Sequence, residues 1–159
     1  MATGSMALLD FLSPDAIAPG LRVSGKKQAL HELAAHAARL TGLDERAVFD
    51  TLLQRERLGS TGIGEGIAIP HGKLAGLTQL FGLAARLDKP IDFEALDGQP
   101  VDILFLLLAP EGAGADHLKA LARVARALRE PGMLDRIRKT RDADALYAVL
   151  SQTSAPRAA

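Results

Sequence analysis

The sequence has no cysteine. That removes disulfides, thiolate nucleophiles and any cysteine-built zinc or iron–sulfur centre, and it fits a protein kept in a reducing cytoplasm. Net charge is absent too: 19 lysines and arginines offset 19 aspartates and glutamates. No global field therefore draws the chain to nucleic acid or to an anionic membrane. No apolar run approaches the ~20 residues of a membrane span; the longest, Val101 to Pro110, carries Asp102. The N-terminus lacks a basic segment followed by an apolar one, so no secretion signal is read. Residues 1–6, which include Gly-Ser-Met, read as a tag or disordered start, 7–152 as one domain and 153–159 as a disordered tail.

What is present is a core. At 159 residues and 48% apolar content, one domain can bury roughly two thirds of the surface its unfolded chain exposes. Ser13-Pro14-Asp15 reads as a turn or helix start, Pro19-Gly20 as a turn and Leu21-Arg22-Val23 as a short strand. Ser24 is placed as the cap of a helix over about 26–40, with Leu30, Leu33, Ala34, Ala37 and Leu40 on one stripe. Asp44 caps a second helix ending near Arg57, with Val48, Phe49, Leu52 and Leu53 inward and Arg55 at the edge of that face. Leu80 to Leu87 and Val101 to Leu108 read as strands; the link between them is too short for a crossover helix, so they are expected to pair antiparallel. A helix from Asp116 to about Arg129 is expected to turn Leu118, Leu121, Ala125 and Leu128 inward and Lys119, Arg123 and Arg126 outward, before two shorter helices. This order gives an α/β (α+β) single domain with a mixed β-sheet flanked by helices.

The unusual residues gather between Arg55 and Lys73. Five glycines lie between Gly59 and Gly72, followed around Ile67-Ala68-Ile69 by Pro70 and a single histidine, His71. Pro70 is expected to stop the strand ladder and fix the histidine at its end. A phosphate-binding P-loop does not fit: five residues separate Gly66 from Gly72 instead of four, and Leu74 stands where Ser or Thr belongs. A dinucleotide fingerprint fails on spacing. Ser60 as a nucleophile with His71 as base lacks the Gly-x-Ser-x-Gly elbow. The fourth reading is a histidine that itself carries a group, since neutral imidazole attacks phosphorus near neutral pH. Backbone N–H groups of the glycine loop, the hydroxyls of Ser60 and Thr61, and the Arg55 guanidinium are then candidate phosphoryl partners, with Gly62 among the backbone donors. His117, beside a helix start, could fix the tautomer of His71 or bond its phosphoryl group. Ordinary roles stand beside each of these: a packed histidine, a surface ion pair for Arg55, a tight loop without a ligand.

The stretch from Arg55 to Gly72 closely resembles the active-site signature of the fructose/mannitol-type EIIA domains of the bacterial phosphotransferase system, most of all the nitrogen-regulatory branch, EIIA-Ntr. The resemblance extends over Lys26-Lys27-Gln28-Ala29-Leu30, and over Phe105 to Glu111 with His117-Leu118. It implies that His71 accepts a phosphoryl group from a phosphorylated HPr-like carrier (NPr in the nitrogen branch), that His117 and Arg55 stabilise the transferred group, and that no metal or cofactor is needed. It also implies a cytoplasmic phosphotransferase whose phosphorylation state regulates partners such as kinases or transporters. The alternative is a sugar-specific EIIA that passes its phosphate to an EIIB transporter domain.

Overall fold

The computed structural model describes residues 6–152; the tail expected at 153–159, and the tag-like start apart from Met6, lie outside the described residues. A 3-10 turn (Leu8–Asp10) leads into β1 (Leu12–Leu21), α1 (Lys26–Thr41), α2 (Glu45–Arg57), β2 (Gly62–Gly64), β3 (Ile67–Ala68), β4 (His71–Leu74), β5 (Phe81–Ile91), β6 (Val101–Pro110), α3 (Ala115–Leu128), α4 (Met133–Lys139) and α5 (Ala143–Ser151). The sheet order is β1-β5-β6-β3-β2, with β4 also paired to β6. The β5–β6 pair is antiparallel, as their short connection requires, whereas β1–β5, β3–β6 and β4–β6 are parallel. Helices α1 and α2 pack together and reach β4 and β5, while α3, α4 and α5 form a second group against β6 and β1. The mixed sheet thus lies between helical layers.

The central strand β6 is a near-continuous apolar run, and Ile103 to Ala109 are all buried, as expected of a strand covered on both faces. In α1 the stripe Leu30, Leu33, Ala34 and Ala37 is fully buried, and Gly42 closes the helix in the left-handed region with φ 79. Its N-cap is Gly25 instead of Ser24; Ser24 donates from its N–H and hydroxyl to Gln28 Oε1. The Asp44 carboxylate caps α2 by accepting from the Ala47 N–H at 2.9 Å.

Four expectations need correcting. The segment from Ser13 to Gly20 is strand, not turns. As part of the edge strand β1 it carries two register irregularities, and edges and bulges are where a strand tolerates proline. Strand β5 likewise runs past Asp88-Lys89-Pro90 to Ile91 through a register shift. Pro70 does not end the ladder: its carbonyl accepts from the Leu107 N–H at 2.9 Å, and pairing with β6 resumes at His71. Helix α3 turns Leu121, Ala125 and Leu128 to the core as expected but departs from the expected face at Leu118 and Arg123. His117, Ala120, Arg123, Val124, Ala127 and Leu128 are buried, while Leu118 is 69% exposed. The small Ala120 and Ala127 let this face settle against the sheet, and the long arginine stem packs with it.

Candidate functional site

His71 opens β4, and its ring is held by its own chain. Nδ1 lies 2.8 Å from the Ile69 carbonyl oxygen; a carbonyl only accepts, so Nδ1 carries the proton and Nε2 keeps the lone pair. Arg55, in the last turn of α2, donates from Nε to that same Nε2 at 3.3 Å and from Nη1 to the Gly59 carbonyl at 3.0 Å. The side chain is therefore clamped between the loop and the imidazole.

His117 arrives from the first turn of α3. Its ring centroid stands 5.5 Å from that of His71, with the planes crossing at 69°. It is buried, and its Nε2 has no hydrogen-bond partner. Burial is the largest influence on both rings and lowers both pKa values below 6.5. At His71 the bond to Ile69 and the charge of Glu56 oppose this, and Arg55 adds to it. At His117 the neighbouring His71 and the charge of Lys73 push the same way as burial. Both imidazoles are thus neutral near pH 7. Nε2 of His71 is an unprotonated ring nitrogen accepting from a guanidinium, with a second neutral imidazole alongside. Among the described residues, no three His, Asp or Glu side chains cluster as a metal site would require.

Ser60, Thr61 and Gly62 are not drawn into this group. The Ser60 hydroxyl donates to the Phe93 carbonyl at 2.9 Å and accepts from the Gly62 N–H at 3.0 Å. Thr61 gives its N–H and its hydroxyl to the two carboxylate oxygens of Glu56. The glycines serve packing in the same way. A Cβ on Gly62 would stand 2.8 Å from that of Ala95; one on Gly66 would collide with the Arg138 guanidinium. Gly64 and Gly66 adopt φ 103 and φ 83, which β2 and β3 need to fold back on each other.

Sequence reasoning missed Glu56. Its side chain is only 3% exposed, yet besides Thr61 it binds Lys26 Nζ at 3.0 Å, and Lys26 in turn lies over the Phe93 ring. The signal was there: Glu56 follows Phe49 by seven and Leu52 by four, placing a carboxylate on the inward stripe of α2. Nothing in the sequence announced the Ile69 carbonyl, because a backbone acceptor has no residue type.

Residues 10–153 match the family described as phosphoenolpyruvate-dependent sugar phosphotransferase system, EIIA 2. The nitrogen regulatory protein of Bradyrhizobium diazoefficiens is 64% identical over 146 residues, spanning 92% of this chain and 95% of that protein. The crystal structure of nitrogen regulatory protein IIA-Ntr from Neisseria meningitidis aligns with a TM-score of 0.83 at 35% identity, covering 89% of this chain and 97% of that one. IIA mannitol from Escherichia coli, at 18% identity, shares the fold with a TM-score of 0.74 over 87% of this chain and 97% of its own.

Proposed function

Because this chain belongs to the phosphotransferase-system EIIA 2 family, we propose that it is a phosphocarrier and regulator of the nitrogen branch, accepting a phosphoryl group on His71 from a phosphorylated HPr-like protein (NPr). One observation carries the assignment. The Ile69 carbonyl accepts a hydrogen bond from Nδ1–H and so fixes the tautomer that leaves Nε2 unprotonated beside Arg55. In the transfer, the Nε2 lone pair forms a bond to phosphorus as the bond from phosphorus to the donor's histidine nitrogen breaks; the electron pair returns to the donor ring. The proton stays on Nδ1 of His71, hydrogen-bonded to the Ile69 carbonyl, so no base is needed to free Nε2. Arg55 releases Nε2 and follows the phosphoryl oxygens, and the partnerless Nε2 of His117 becomes a second contact when it carries its proton. Ser60, Thr61 and Gly62 contribute by holding the loop, since their donors are already engaged.

The phosphorylated histidine adds negative charge to the surface where α2, β4 and α3 meet, and partner proteins such as kinases or transporters would read that change. A cytoplasmic location accords with a donor found there and with described residues that include no helix long and apolar enough to cross a membrane. The test is incubation with the phosphorylated carrier, followed by intact mass measurement. We expect one acid-labile phosphate on the wild type and none on His71→Ala; a fully labelled His71→Ala protein would refute the assignment. Adding an EIIB domain and its sugar asks whether the phosphate travels on. Sugar phosphate formed at the rate of the first transfer would favour a transport role over regulation.

A further inference from the structure

Resting on the phosphoryl-acceptor reading of His71, we infer that Gly72 and Thr51 are positioning residues: their bare contact sets how closely α2 lies on β4, and so where Arg55 stands relative to His71. Two neighbouring residues of β4 meet two residues of α2 that lie one turn apart. His71 receives the Arg55 guanidinium at 3.3 Å. Gly72 faces Thr51, and a Cβ built on Gly72 would sit 2.5 Å from Thr51 Cγ2, with Thr51 Cβ next at 3.8 Å and no other neighbour within 4 Å. Residues four apart on a helix share a face, so the Thr51 contact and the Arg55 contact belong to one rigid docking.

The glycine is not there for its backbone. Gly72 is absent from the residues with positive φ, and it pairs in register with Leu108. Any residue could adopt that conformation; only the methyl of Thr51 forbids a side chain. Nor can β4 retreat, because its four residues are registered against Leu107 to Pro110 of the buried central strand. An added methyl at position 72 must therefore push α2 outward and carry Arg55 away from Nε2.

The consequence is open to a rescue experiment. In Gly72→Ala the His71 titration, followed by NMR of the imidazole, is expected to move upward towards its ordinary value, because the displaced guanidinium no longer opposes protonation and the ring is less enclosed. Phosphoryl transfer from the carrier should slow roughly 10- to 100-fold. Thr51→Ser removes only Cγ2, so the Thr51→Ser/Gly72→Ala double variant should regain both the wild-type titration and the wild-type rate. A merely structural role would alter unfolding free energy without moving the histidine titration. Unchanged titration in Gly72→Ala, or a double variant that keeps the single variant's defects, would overturn the inference. If Gly72→Ala does not fold, the double variant decides: folded with a wild-type titration it supports the contact, and unfolded it refutes it. The titration needs no phosphate donor, so failure here is distinct from failure of the acceptor assignment, which His71→Ala tests alone.

Discussion

The β2–β3 hairpin and the histidine pair lie a few residues apart in the chain and obey opposite rules. In the hairpin every side chain that looked available is already spent. Thr61 binds Glu56, Ser60 binds Phe93, the Glu65 N–H binds Asp97, and the Glu65 carbonyl accepts from Arg138, which also grips Asp102 through two bonds. At the histidines the accounting stays looser: the Nε2 lone pair of His71 is met by one long bond from Arg55, and Nε2 of His117 is buried without a partner. A buried polar atom left unpaired costs free energy and persists where function requires it. The richer motif is thus the frame, and the sparser cluster is the candidate site.

Breaking the frame should be the larger stability event. Glu56→Ala leaves the Thr61 donors buried without acceptors and Lys26 without its enclosed partner, so we expect a loss of about 3 kcal/mol in a urea or guanidinium titration. Opening the site should reverse the pattern. Arg55→Ala is expected to slow phosphoryl transfer by about 100-fold while unfolding free energy changes by less than about 1 kcal/mol, both readable on one preparation. For His117→Ala we expect a rate about 10-fold lower with the far-UV spectrum unchanged; wild-type kinetics would remove it from the site. The smallest effect is pH. Both histidines have folded pKa values lowered below 6.5, so the unfolded chain binds protons that the folded chain refuses. Stability is then fully present above pH 6.5 and declines as pH falls through that value towards the folded pKa values. Transfer should fade over the same range as Nε2 protonates. Replacing both histidines should flatten that part of the stability profile, and an unchanged slope would show that the acid sensitivity lies elsewhere, His36 being the other histidine whose pKa is lowered.

The periodic parts of the chain were the legible ones. The stripes of α1 and α2, the Asp44 cap and the antiparallel β5–β6 pair follow from spacing and connection length. The prolines of β1 hid a strand, because edge position is a tertiary fact that local propensity cannot express. Helix α3 was misjudged at two positions: Leu118 looked inward and is exposed, and Arg123 looked outward and is carried inside, while Leu121 packs partly buried against the core as its spacing suggests. At the site, His71, His117 and Arg55 could be named from residue type and resemblance. The loop was read as an anion cradle because five glycines allow one; Ala95, Asp97, Arg138 and Thr51 occupy the space that four of them leave. That occupation depends on residues up to about 70 positions away, beyond the reach of any local motif.

Among the described residues, strand β4 has one neighbour, β6, and β3 joins the rest of the sheet through the same strand. His71 is thus translated well before the segment that anchors it, and, among the described residues, 71–74 gain their strand partner only when 107–110 have emerged. His117 follows only after β6 is complete. A nascent or truncated chain ending ahead of Val101 displays the full signature from Arg55 to Gly72 yet lacks the strand that registers His71, so the proposed competence for phosphorylation waits for the most apolar segment of the protein to close the sheet.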